Sequence, residues 1–174
     1  MIRSILLAGA ATLLAISAAP AALAAAPTDA QIAHIAYTAG QIDIAAGKQA
    51  LARSKNKTVR AFAQEMVRDH AAVNVRALAL VKKLHVTPQA NPTSAALSKV
   101  ATAELGTLSR LRGAAFDRAY IRNEVAYHKT VNAALSNTLI PNAQNGELKS
   151  LLQTGLALFT EHQTHAEHLA AGLH

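Results

Sequence analysis

The sequence predicts an all-α domain: a four-helix bundle of ferritin-like wiring, with a short crossover helix between long helices 2 and 3. Three observations predict it. Apolar residues recur at spacings of three and four through most of the chain. Alternating Val/Ile/Thr runs flanked by tight glycine turns are missing. The breaks between apolar stripes are few, and they carry residues that start and stop helices.

The chain has 174 residues, and its first 24 read as a secretory signal rather than as part of the fold. Arg3 supplies a positive start, Ile5 to Ala19 is an almost uncharged apolar run, and Pro20 breaks it. Ala22-Leu23-Ala24 then offers small residues where a signal peptidase reads. The apolar run is too short and too Ala-rich for a membrane span. A retained N-terminal anchor is the alternative. Residues 25–174 are expected to form one helical-bundle domain, exported to the periplasm or associated with the outer membrane. The mature protein is expected to have no transmembrane helix.

Long helices are expected over about 28–54, 58–85, 114–139 and 146–170, with a short one over about 93–108. Pro27-Thr28-Asp29 marks the first start, and Ile32, Ile35, Ala39, Ile42 and Ala46 form its stripe. Ser54-Lys55-Asn56-Lys57 is a polar break, after which Thr58 is the expected N-cap. The second stripe is Val59, Ala63, Met66, His70, Val73, Ala77, Leu80 and Leu84, closed by His85-Val86-Thr87-Pro88. Asn91-Pro92-Thr93 starts the crossover helix, and Arg112-Gly113 ends it. Phe116, Tyr120, Ile121, Glu124, His128, Val131 and Leu135 lie on or beside the next stripe, which Ile140-Pro141-Asn142 stops. Asn145 caps the last helix, with Leu148, Leu151, Gly155, Leu158, His162, His165 and Leu169 on its stripe. Two short connections and one longer crossover give the ferritin-like order. A plain up-down bundle with an extra short helix is the competing topology.

There is no cysteine. Thiolate metal sites, cysteine nucleophiles and disulfides are therefore excluded. The chain carries 17 Lys and Arg against 10 Asp and Glu, and Arg3 leaves with the leader. This excess suits an anionic envelope surface, lipid headgroup or wall polymer. Nucleic acid is not expected as a partner: tryptophan is absent, and the few aromatics do not interleave with the basic residues.

The stripes contain polar residues where apolar ones belong. His70, His128 and His162 each fall on the core seam of a different helix. Asp43 lies beside Ile42 on the first, and Glu124 precedes His128 by four residues on the same face. Burying such groups is costly unless they find partners. At a rise of about 1.5 Å per residue, Asp43 and His70 are nearly level across the first turn, as are Glu124 and His162 across the second. Imidazole nitrogens and carboxylate oxygens at matching heights suit Zn²⁺, Fe or Mn. His70, His128, His162, Glu124 and Asp43 are the candidate ligands. Glu65, Asp69, Glu161 and His165 are candidates to orient them from behind. The competing reading is a purely structural network of His–carboxylate hydrogen bonds. His34, His85, His168 and His174 are read as peripheral.

Two segments resemble the signatures of an exported bacterial family, domain of unknown function 4142. One is Val59-Arg60-Ala61-Phe62-Ala63-Gln64-Glu65-Met66-Val67-Arg68-Asp69-His70, with Asn74 one turn on. The other is Gly113-Ala114-Ala115-Phe116-Asp117-Arg118-Ala119-Tyr120-Ile121, followed by Glu124 and His128. Leu148 to His162 is similar to the family's final helix, and the resemblance covers about residues 28–170. It implies a periplasmic or envelope location and a ferritin-like helical bundle, and it implies no established activity.

Di-iron bundles carry Glu-x-x-His on two helices, whereas the spacings here are Glu124-x-x-x-His128 and Glu161-x-x-x-His165. Nucleophile elbows, phosphate-binding glycine loops and the His-Glu-x-x-His zinc motif are absent. The leading reading is a non-catalytic envelope protein holding a transition metal in its interior. The second is an interaction module whose basic face (Lys48, Arg53, Lys55, Lys57, Arg60 and Arg68) meets anionic lipid or wall polymer. A metal-dependent redox enzyme is the third.

Overall fold

The computed structural model describes residues 26–173. The secretory segment and His174 lie outside the described residues. Among the described residues there are helices and no strands: α1 (Asp29–Arg53), α2 (Lys57–Lys83), α3 (Pro92–Ser109), α4 (Gly113–Ala134), a π-helical segment (Leu135–Leu139), α5 (Ile140–Asn142) and α6 (Gly146–Gly172). No helix among them is long and apolar enough to cross a membrane.

Local chemistry accounts for the boundaries. Thr28 caps α1 in a capping box with Gln31. The cap of α2 is Asn56, not the expected Thr58. The Asn56 side-chain oxygen accepts from Thr58 N at 2.9 Å and Val59 N at 3.3 Å. Thr58 is thus a backbone donor inside the first turn, and the Asn56 side chain two residues earlier takes the capping position. Asn145 caps α6 in the same way, through Glu147 N and Leu148 N.

The third long helix does not stop at Ile140. It widens at Leu135–Leu139, where Ile140 N–H returns to Leu135 O, and then makes one further turn containing Pro141. Pro141 has no N–H to return to the preceding turn. The wider π geometry directs both Leu135 and Leu139 inward.

α1 and α2 form one antiparallel hairpin, and α4 and α6 form the other. α3 runs beside α1 in the same direction. Asn91 Nδ2 donates to Gln31 O at 3.3 Å near its start, and Gln49 Nε2 donates to Leu105 O at 2.9 Å near its end. Asp29 ties the start of α1 to that of α6 by accepting from Gln144 N and Asn145 N, both at 2.8 Å. α1 and α2 meet closely because Gly47 has no side chain. A Cβ there would lie 2.8 Å from Val67 Cγ2 and 3.1 Å from Ala63 O.

The interior has three storeys. At the α1–α2 turn end, Val59, Phe62, Ala63, Met66, Phe116, Tyr120 and Ile121 are fully buried. At the opposite end lie Ile32, Ile35, Leu135, Leu139, Leu148, Leu152 and Phe159. Polar side chains fill the layer between. Some expected seam positions moved by one residue: Asp43 is buried where Ile42 is only half-buried, and Leu152 and Phe159 take the interior places expected for Leu151 and Leu158. Ile42 instead faces the cleft beneath α3. A fifth helix on one flank thereby broadens the apolar face of α1.

The expected cationic face is partly occupied. Arg53 donates to Ser109 O and, at 2.9 Å, to Leu111 O. Arg60 donates to Leu51 O and to Ser54 O, and Arg68 pairs with Asp69 at 2.6 Å. Lys48, Lys55 and Lys57 are exposed.

Candidate metal centre

The middle storey collects Asp43 from α1, His70 from α2, Glu124 and His128 from α4, and His162 from α6. Each is at most 2 % exposed. The imidazole ring centres lie 5.4 to 5.6 Å apart. One ligand-capable atom from each of His70, His128 and His162 falls within 4.8 Å of the others, and the same holds for Asp43, Glu124 and His128. His128 belongs to both groups. Buried His and acidic groups are thus assembled that could hold a metal ion.

Burial decides the charge states. His70 is pushed down to about 2, first by burial and then by the neighbouring His128 and His162. His128 is pushed down to about 4, again mainly by burial. Both rings are neutral at ordinary pH. Asp43 is raised to about 7 by burial. Glu124 is raised well above the usual carboxylate range by burial and by the charge of Asp43. Two carboxyls this close in a dry interior do not both ionise, so the pair carries at most one negative charge near neutrality.

The approaches of His70 Nε2 and His128 Nε2 to Asp43 Oδ2, at 3.4 and 3.5 Å, are therefore not ion pairs. They are also too long and too poorly aligned for good hydrogen bonds. The His70 ring instead stacks on Phe159, with ring centres 4.4 Å apart and planes 13° apart.

Two neighbours fix tautomers. His128 Nδ1 lies 3.0 Å from the Glu124 backbone carbonyl. A carbonyl only accepts, so Nδ1 carries the proton and Nε2 keeps a free lone pair. His162 Nε2 lies 3.1 Å from Asp69 Oδ2. The Arg68 guanidinium holds the Asp69 carboxyl below its usual range, so Asp69 is an acceptor and His162 Nδ1 keeps the lone pair. The buried ring nitrogens without a hydrogen-bond partner are His128 Nε2, His162 Nδ1 and both nitrogens of His70. Each of the first two is the nitrogen that its tautomer leaves free.

The candidates for orienting roles separate. Asp69 meets His162 directly, and Glu65 accepts from His165 Nδ1 at 2.9 Å. The spacing puts His165 on the stripe of the last helix. It is instead half-buried at the rim, with its ring edge against Phe62 at 5.1 Å. Glu161 is exposed and acts on His162 only through its charge. Among the peripheral histidines, His34 accompanies Thr38 at 3.4 Å, and His85 and His168 are exposed.

Several interior polar residues were not singled out from the sequence. Asn74 is 4 % exposed, and its Nδ2 has no partner. Asn132 donates from Nδ2 to Phe159 O at 3.2 Å and to Gln163 Oε1 at 3.0 Å. Asp117 and Tyr120 are also buried. The signal was present for the two asparagines: each follows a seam histidine by four residues, His70 to Asn74 and His128 to Asn132, and so shares its face.

A family profile described as Domain of unknown function (DUF4142) matches residues 15–169. The chain belongs to this family. No curated protein and no solved structure matches it. In this DUF4142 chain the two signature segments supply α2 with His70 and α4 with Glu124 and His128, so the matched region contains every residue of the middle storey.

Proposed function

We propose that this DUF4142 protein is an exported, non-catalytic bundle of ferritin-like wiring that binds one transition-metal ion in its middle storey. One observation carries the reading. One ring nitrogen from each of His70, His128 and His162 comes within 4.8 Å of the others, from three helices, and each of these buried rings has a nitrogen without a hydrogen-bond partner. An unpaired buried polar group costs about 1–3 kcal/mol, so several in one place need a common partner. A self-sufficient network of His–carboxylate hydrogen bonds would pair the rings with Asp43 and Glu124, whereas those approaches are 3.4 to 3.5 Å. A cation at the three imidazoles gives their free nitrogens a common partner. It also offsets charge on the Asp43 and Glu124 pair.

His70, His128 and His162 would hold the ion, with Asp43 completing the set and Glu124 beside it. Three imidazoles and a carboxylate favour Zn²⁺ or Fe²⁺ over Mn²⁺. Asp69 and the Glu124 carbonyl fix the tautomers from behind, as outer partners of metal-bound histidines do. The absence of Glu-x-x-His pairs argues against di-iron oxidase chemistry. The leader-like first 24 residues support export. The cationic face gives weaker support to envelope binding, because Arg53, Arg60 and Arg68 are engaged within the fold.

The test is metal analysis of untagged protein after loading with Zn²⁺ or Fe²⁺ and dialysis. One ion per chain is expected, with a raised thermal midpoint. His70→Ala and His128→Ala should each abolish stoichiometric binding, while His34→Ala leaves it intact. Asp69→Asn should weaken affinity by roughly 10- to 100-fold. Stoichiometric metal retained by both alanine variants would sink the reading.

A further inference from the structure

The storey below the histidines is not filled. A chamber of about 220 Å³ lies between α1, α2, α4 and α6, with Leu97 of α3 closing its flank. Its walls are almost wholly apolar and are built largely from small residues, among them Ala36, Ala77, Ala134 and Gly155. Small side chains at these positions keep the space open. Native cores hold few voids larger than a water molecule, and an apolar void stays dry. The chamber is therefore poor space for water and good space for an apolar molecule.

The polar residues in its wall are Asn74, Thr93 and Thr130, and of these Asn74 is buried. Asn74, one turn below His70, is 96 % buried from solvent by its 4 % exposure, and its Nδ2 donor has no partner. Gly40 faces it, where a Cβ would lie 2.4 Å from Asn74 Oδ1, so the amide fills the place a side chain on α1 would take. The π-helical turn supplies Leu135 and Leu139 to the far wall. Widened turns of this kind recur at functional sites. The chamber adjoins the apolar cleft between α3 and α4, since Leu97 and Thr93 line both. α3 is the helix with the fewest buried residues among the long ones, namely Ser94 and Leu108.

We propose that this chamber binds a small, uncharged apolar molecule bearing one hydrogen-bond acceptor, an aliphatic or monocyclic carbonyl compound, with its oxygen on Asn74 Nδ2. A dry apolar cavity of about 150 Å³ holds benzene; by proportion this chamber holds roughly nine non-hydrogen atoms. A charged headgroup is excluded, because no counter-charge lines the walls. The site needs no metal, so it stands or falls separately from the ion-binding reading.

The experiment uses the full mature chain, stripped of metal by chelator, with 2-octanone, n-nonane and octanoate as probes. Calorimetric titration and the Asn74 side-chain amide resonance are the readouts. Saturable one-to-one binding of 2-octanone is expected, with a shifted Asn74 signal, weaker binding of nonane and none of octanoate. Asn74→Leu should weaken 2-octanone by roughly fivefold, the worth of one neutral hydrogen bond, and leave nonane at least as tight. Ala134→Phe, which fills the chamber from another helix, should abolish both while circular dichroism reports an intact fold. Absence of 2-octanone binding to the folded wild-type chain overturns the proposal. So does equal affinity for ketone and alkane with no response to Asn74→Leu.

Discussion

The two apolar storeys contain similar residue types and are packed differently. At the α1–α2 turn end, Phe62, Phe116 and Tyr120 interlock around Ala63 and Met66. The Phe116 and Tyr120 rings stack at 6.2 Å, and Phe62 meets Tyr120 edge-on at the same distance. At the other end, leucines and isoleucines surround open space under Phe159. Aromatic bulk fills the first storey, and alanines and glycines at equivalent heights leave the second unfilled. The comparison teaches that tight packing and open apolar space are divided along the bundle axis, with the polar layer between them. The closed storey holds the helices in register, so the open one can keep a void.

The largest expected effect tests the closed storey. Phe62→Ala should cost about 3–5 kcal/mol of unfolding free energy, while Leu152→Ala beside the chamber should cost nearer 2. Urea denaturation of both variants measures the difference. Equal losses would mean that the two storeys are equally packed.

A second, smaller effect sharpens the role of the layer between. In the metal-free protein, Asp43 protonates at about 7 when folded, against 3.8 as its ordinary value. The folded state therefore holds the extra proton between those limits, and stability from this group falls as pH rises through them. His70 and His128 act in the opposite sense. With folded values of about 2 and about 4, they cost stability as pH falls below 6.5. Asp43→Asn removes the Asp43 carboxyl, and with it the part of the Glu124 shift that its charge causes, and leaves the histidine component in place. The stability of wild type minus that of Asp43→Asn should thus decline steadily from pH 4 to pH 7, by denaturant titration at each pH. A flat difference would mean that Asp43 ionises normally.

The smallest effect contrasts two glycines. Gly47→Ala forces a methyl against Val67 and the Ala63 carbonyl in the close α1–α2 contact, and should lose about 1–2 kcal/mol. Gly155→Ala meets Phe159 only at 3.5 Å, an ordinary contact. It should gain about 0.5–1 kcal/mol from helix propensity. Thermal midpoints moving in opposite directions are the expected outcome.

Much of the candidate site was legible because helical spacing places residues in angle and in height. His70, Glu124, His128 and His162 break apolar stripes, and each is buried. Asp43 was found only as the neighbour of Ile42. A 100° step per residue leaves two adjacent positions sharing an apolar flank, and the packing of α3 decides which one enters the core. The same ambiguity exchanged Leu151 and Leu158 for Leu152 and Phe159. Thr58 lost the cap to Asn56 because both residue types cap helices, and only the path of the turn selects between them. The π-helical turn left no periodic signal, since one widened turn shifts the phase by less than the pattern resolves.

Composition and period by themselves determined that this chain makes long amphipathic helices, where most of them begin and end, and that His70, Glu124, His128 and His162 fall on buried stripes. These follow from local backbone propensity and from the cost of exposing apolar stripes. Tertiary structure alone decided which nitrogen of His128 and of His162 is free, that burial raises both Asp43 and Glu124, and that one storey closes while the other stays open. Those outcomes depend on atoms brought together from helices distant in the chain, and hydrogen bonding, desolvation and packing act only across such distances in space.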